Sequence, residues 1–290
     1  MWFYSALLMS FFSGIYVVVS KHTLKNMDPI VFFWATITAS TLFVSIPVLI
    51  NGIPRIDLIF VFSVFASTII YIISKIIFWK TIKKSLLSDV YPLISIGPVF
   101  TLIFSVIFFS EKLSFFALLG SGITLFGTYI LNVSSIREGL LKPFKILFQN
   151  KLSLLMLVSI FIGSVVIIFD KISINHIFPQ DLFFVLFIED LIIIIGLLPW
   201  MMINRKIAVQ EIKVNLKFIL LLGFVFTLSS VIAFFALSKG NPGLVSSVFR
   251  TQIFFVFLFG FLFFKDRPKL EAVLGTIIMI LGLVVLKLGS

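Results

Sequence analysis

The chain contains no cysteine. Disulfides, thiol nucleophiles and thiolate metal ligands are thereby excluded, and the redox compartment leaves no trace in the sequence. Histidine is almost absent as well, with only His22 and His176. Their surroundings, "HTLKNMD" and "HIFPQD", are too sparse for a zinc site. There is no glycine-rich phosphate loop and no nucleophile–base pair. No catalytic residue, metal or cofactor is therefore expected, and the chain does not read as an enzyme. Charge is scarce, at 12% of 290 residues, and it is lopsided: 23 Lys and Arg against 12 Asp and Glu. Long polar stretches are missing too; the longest linker, "SSIREGLLKPFKILFQNK", spans residues 134–151.

What fills the chain is apolar. Hydrophobic residues make up 60%, and the mean hydropathy is +1.23. Soluble domains are roughly half apolar, so the class is an all-α polytopic membrane protein. The net charge of +11 sits between apolar runs, as in loops on an anionic leaflet. The partners expected are the bilayer and a small-molecule solute, not nucleic acid. The first apolar run begins at Trp2 with no basic region before it, so it reads as a retained span.

A helix crosses ~30 Å of hydrocarbon with about 20 residues. Ten spans are expected, near 2–20, 30–50, 57–79, 85–109, 114–132, 152–169, 182–203, 215–237, 243–264 and 270–288. Self-comparison shows a duplication. "EKLSFFALLGSGITLFGTYIL" (111–131) matches "DRPKLEAVLGTIIMILGLVVL" (266–286), with Gly120 on Gly275 and Gly127 on Gly282. "VSKHTLKNMDP" (19–29) matches "FDKISINHIFP" (169–179), with Lys21 on Lys171 and Pro29 on Pro179. The organisation expected is a first five-helix repeat over 1–133, a linker over 134–151 and a second repeat over 152–290.

Five is odd, so the second repeat enters the membrane inverted. The loop charges agree. Lys80, Lys83 and Lys84 follow the third span, whose counterpart loop has only Lys239; Lys265, Arg267 and Lys269 follow the ninth, whose counterpart has only Lys112. Inverted repeats around a midplane site are a recurrent plan of secondary transporters. The loops after odd-numbered spans hold most of the Lys and Arg, which by the positive-inside rule places both termini outward.

The order Gly14, Lys21, Pro29, repeated as Gly163, Lys171, Pro179, with an acidic residue after each fourth helix and a glycine-spaced fifth, resembles the drug/metabolite transporter superfamily, in particular its EamA-like ten-helix branch. The resemblance implies alternating access around a central cavity lined by helices one, three, four, six, eight and nine. It implies solutes such as amino acids or related metabolites, carried outward, in the cytoplasmic membrane of a prokaryote, by a monomer or homodimer. It also implies a peripheral helix seven and cytoplasmic termini, the reverse of the charge count.

Arg250, inside "NPGLVSSVFRTQIFFVFLFGFLFF", is the sharpest candidate. Facing lipid it would cost at least ~2.5 kcal/mol, so it should face the interior, where its planar fork suits a carboxylate or phosphate. Lys75 either joins it or snorkels to the basic end of span three. Tyr71, Ser74, Tyr91, Ser95, Ser230, Ser247 and Thr251 complete the expected cavity set; Thr101, Thr227, Ser229, Ser246 and Gln252 are further polar residues on the same helices. Glu189 and Asp190 interrupt span seven and suit either ion coupling or pairing with Arg250. Pro92, Pro98, Pro242 and Gly243 are the expected hinges. Trp79 and Trp200 read as interfacial belts, and Asp170 with Lys171 as an interfacial charge pair. The rival functions are a nucleotide-sugar or phosphorylated-metabolite carrier, which paired cations would serve, and a membrane-embedded enzyme or lipid scramblase.

Overall fold

The structure, a computed structural model, describes residues 1–84, 91–110, 113–132, 151–264 and 270–289. The chain runs α1 (Trp2–Leu24), α2 (Pro29–Asn51), β1 (Arg55–Ile56), α3 (Leu58–Lys84), a 3₁₀ segment (Tyr91–Ile96), α4 (Gly97–Phe109), α5 (Phe115–Asn132), α6 (Lys151–Asn175), β2 (Ile177–Phe178), α7 (Leu182–Ile203), α8 (Arg205–Lys239), α9 (Pro242–Phe249), α10 (Gln252–Phe264) and α11 (Leu270–Leu288). Six of these are long and apolar enough to cross a membrane: α1, α2, α3, α6, α7 and α8. Large apolar side chains such as Leu42, Ile46, Phe62, Ile69, Ile103 and Ile107 point outward. Patches of that kind on water would drive aggregation; on lipid they are the expected surface. This is an integral membrane protein.

Short polar residues set the helix starts. Asp28 accepts the N–H groups of Ile30 and Val31 ahead of Pro29, Asp181 those of Phe183 and Phe184, and Asn241 those of Gly243 and Leu244 ahead of Pro242. Each side chain satisfies donors that a helix start leaves open.

Several helices run past their expected ends. The third runs to Lys84 rather than 79, and the sixth to Asn175 rather than 169. The eighth begins at Arg205, ten residues before the expected 215. Its first turns hold Arg205, Lys206, Glu211 and Lys213, which mark the edge of the bilayer but do not end a helix. The expected fourth span consists of the 3₁₀ segment and α4; residues 85–90 lie outside the described residues.

Pairing decides where the site lies. α5 lies along α11, α3 along α6, α1 along α8, and α2 along α7 and α8; α4 meets α6 and α9, and α1 meets α10. A Cβ on Gly120 would fall 2.1 Å from the Leu286 nitrogen, one on Gly282 2.3 Å from that of Thr124, and one on Gly127 2.4 Å from that of Met279. These contacts climb α5 while descending α11, so the two glycine-spaced helices are antiparallel with their backbones in contact, as small residues permit. Two apolar clusters form the core, one around Phe32, Phe33, Trp79 and Met156, the other around Phe60, Ile174, Phe184 and Val245. Beyond the second, β1 and β2 pair antiparallel, joining the α2–α3 and α6–α7 connections.

Candidate functional site

Between the two clusters lies a cavity of about 280 Å³. Both halves of the chain line it. From the first come Ser13 and Tyr16 on α1, and Tyr71, Ser74, Lys75 and Trp79 on α3; from the second, Asp170 on α6, Glu189 and Asp190 on α7, Ser229 and Ser230 on α8, and Ser246, Arg250 and Gln252 around the end of α9.

Arg250 sits where the helix expected over 243–264 breaks. α9 stops at Phe249 and α10 starts at Gln252. Across the gap the backbone tightens: Thr251 N–H bonds to Val248 O at 3.0 Å, Ile253 N–H to Arg250 O at 3.1 Å and Phe254 N–H to Thr251 O at 3.0 Å. A broken helix at membrane depth needs other donors for the carbonyls it strands. The Thr251 hydroxyl supplies one, donating to Val248 O at 2.8 Å, and the Ser10 hydroxyl of α1, whose nearest acceptor is Ala6 O at 2.8 Å, stands 3.1 Å from Val248 O and 3.3 Å from Phe249 O. The first half carries a matching break, where the 3₁₀ segment gives way to α4 at Gly97. There Ser164 of α6 donates to Gly97 O at 3.0 Å and Thr101 does so at 3.2 Å. The breaks meet: a Cβ on Gly97 would lie 2.5 Å from Arg250 Nη2 and 3.1 Å from Cζ.

Lys75 also faces inward. It lines the cavity and does not turn toward Lys80 and the basic end of α3, where a snorkelling side chain would go. Its ammonium rests over the rings of Tyr71 and Phe78, 5.1 and 5.2 Å from their centroids, a cation–π arrangement. No carboxylate lies within ion-pair distance of Lys75 among the described residues.

Three acids share the same space. Asp190 is 1% exposed and neither of its carboxyl oxygens has a hydrogen-bond partner. Ser40 and Thr41 stand beside it, near enough to interact with its carboxyl; Thr41 donates to Ile37 O at 2.9 Å, and Ser40 shares with Thr227 a 2.9 Å bond in which either hydroxyl could donate. Glu189 Oε1 is likewise without a partner. Beside Glu189 lies Asp170, which accepts a hydrogen bond from Ser67. Asp170 is therefore not one half of an interfacial pair. Lys171 points elsewhere, donating to the carbonyls of Leu237 at 2.5 Å and of Ser238 and Gly240 at 3.3 Å, which closes the end of α8.

The other sequence candidates divide. Tyr71, Ser74 and Ser230 line the cavity; Ser95, Ser247 and Thr251 are buried outside its lining. Ser74 also belongs to a helix clasp, donating to Ser159 O while Ser159 donates to Ser74 O, each at 2.9 Å. The side chains of Tyr91 and Pro92 lie outside the described residues. Pro98 and Pro242 sit in the first turns of α4 and α9, where proline starts a helix instead of bending it. Gly243 allows α9 close to α4, since a Cβ there would fall 2.8 Å from the Leu102 Cα. The bend within span nine falls instead at Arg250–Thr251. Trp79 is 3% exposed and walls the cavity against Tyr16, Phe32 and Phe78, so it is no interfacial anchor. Helix seven, expected at the periphery, supplies two of the three acids.

Comparison with known proteins bears on the fold and the family. A solved structure described as "Crystal structure of protein" superposes with a TM-score of 0.69, over 99% of this chain and 95% of that chain, at 12% identity. At such identity the likeness speaks for the fold alone. No curated protein matches the chain. The family model for the EamA-like transporter family matches residues 1–133 and again residues 150–288. The two matches together span nearly the whole sequence, and the chain belongs to the EamA-like transporter family.

Proposed function

We propose that this membrane transporter works by alternating access, and that it carries amino acids or related small metabolites through the cavity that holds Arg250. The single observation behind this reading is the meeting of the two helix breaks, where the Arg250 guanidinium lies against Gly97 inside a chamber lined by both halves. The pairings fit two inverted five-helix repeats of residues 1–133 and 152–290 joined by 134–151. α5 and α11 pair with each other, as do α2 and α7, and α1–α8 mirrors α3–α6. In that arrangement the bundles rock about the site and open it to each face in turn, and the direction expected is outward.

A second reading rests on Lys75 sharing the chamber with Arg250, as a phosphorylated-metabolite or nucleotide-sugar carrier would require. Two features weigh against it. Three acids line the same walls, and about 280 Å³ is at the small end of ligand sites, roughly 300–1,000 Å³. Counterflow in proteoliposomes, with radiolabelled amino acids and nucleotide sugars in parallel, tests the choice. Exchange of an amino acid supports the first reading. Exchange of nucleotide sugars alone supports the second, and no exchange of either contradicts both.

A further inference from the structure

The cavity holds charges of both signs without pairing all of them. Lys75 and Arg250 supply the cations; Asp170, Glu189 and Asp190 supply the acids. Asp170 has Ser67 as a donor, but Asp190 is 1% exposed with both oxygens unpartnered, and Glu189 Oε1 is unpartnered beside it. A buried carboxyl costs several kcal/mol unless something donates to it. Within the chain, Thr41 donates to Ile37 O and the Lys75 ammonium rests over two rings, while Ser40, beside Asp190, shares with Thr227 a bond in which either hydroxyl could donate.

We infer that Asp190 and Glu189 form an ammonium subsite, and that the solute carried is a protonated amine whose amino group donates to these carboxyls. The inference rests on the transport reading above and adds a second anchor to it. An ammonium group offers three donors and one positive charge, which suits the Asp190 carboxyl and the unpartnered Oε1 of Glu189, whose carboxyl also meets Asp170. A solute with an anionic group as well reaches from this pole toward Arg250, which lines the same cavity. Asp190 and Glu189 both line that cavity, and because adjacent helical residues point ~100° apart they face it from different angles. The subsite stands on α7, a helix expected to lie outside the transport pathway.

The test uses the full chain in detergent and isothermal titration with three probes: 2-aminobutyrate, butyrate and propylammonium. The wild type should bind both ammonium-bearing probes. Asp190→Asn, which keeps shape and loses charge, should weaken both at least tenfold and leave butyrate binding unchanged. Asp190→Glu should retain them. Glu189→Gln serves in the same way if Asp190→Asn does not fold. The inference is overturned if the wild type binds neither ammonium probe, or if the folded Asn or Gln variant binds them as tightly as wild type. Failure of the transport reading looks different: ammonium binding persists, yet proteoliposomes show no flux.

Discussion

The Arg250 guanidinium occupies the space that a side chain on Gly97 would fill, with Nη2 2.5 Å from the position of the missing Cβ. Gly97 opens α4 where the 3₁₀ segment ends, and Arg250 follows the end of α9. The contact thus joins the halves at the wall of the cavity, and a change at Gly97 should be felt at Arg250 before it is felt by the fold.

Gly97→Ala is the first prediction. The methyl meets the far end of a flexible side chain, and the next neighbour, Ile160 Cγ2, stands at 3.1 Å. Thermal stability should fall by no more than about 1 kcal/mol, while the affinity for an anionic solute should fall about tenfold as the guanidinium moves. Thermal unfolding and titration on one preparation check both halves of the statement.

Gly120→Ala should behave in the opposite way. Its methyl would sit 2.1 Å from a backbone nitrogen of α11 and 2.5 Å from the Leu286 Cα, and backbone cannot swing aside. Overpacking of this kind costs about 1–3 kcal/mol. The variant should unfold at lower temperature in detergent, with solute affinity per folded molecule unchanged.

At the ribbon end, Asp57 accepts the Phe60 N–H at 2.7 Å and stands 2.7 Å from His176 Nδ1. The Phe60 bond first, and His176 second, hold its carboxyl below the ordinary value of 3.8. A depressed acid stabilises the fold while ionised. Its contribution is complete above the ordinary value and is lost as pH falls through the lowered one. Asp57→Asn should therefore be less stable than wild type throughout pH 7 to 5, and the gap should close only below pH 3.8. Unfolding curves across that range check it; closure between pH 6 and 5 would contradict the assignment.

Apolar runs and a repeated glycine spacing are enough to read the helical membrane class and the family from sequence, because both are periodic along the chain. The site is legible only in part. Arg250 and Glu189–Asp190 announce themselves as charges deep inside apolar runs. Asp170 does not, because hydropathy ends the sixth span at residue 169, one short of it, whereas the helix continues to Asn175. Lys75 stands between two readings because Lys80, Lys83 and Lys84 follow it closely, and only packing shows that it turns inward. The break at Arg250–Thr251 has no proline or glycine to mark it. Besides Thr251 itself, the polar group beside it is Ser10, nearly the whole chain away, and such a neighbour cannot be read from local sequence. Trp79 misleads by its residue type, since tryptophan favours interfaces and only packing shows that this one is walled in.

The most direct measurement exploits the absence of native cysteine. Arg250→Cys introduces a lone thiol, so a membrane-impermeant thiosulfonate reagent reports on that position alone. The account predicts labelling from at least one face of a proteoliposome, slowed by transported solute, and loss of flux in Arg250→Leu. A thiol that stays unreactive from both faces, together with full flux in Arg250→Leu, would contradict it.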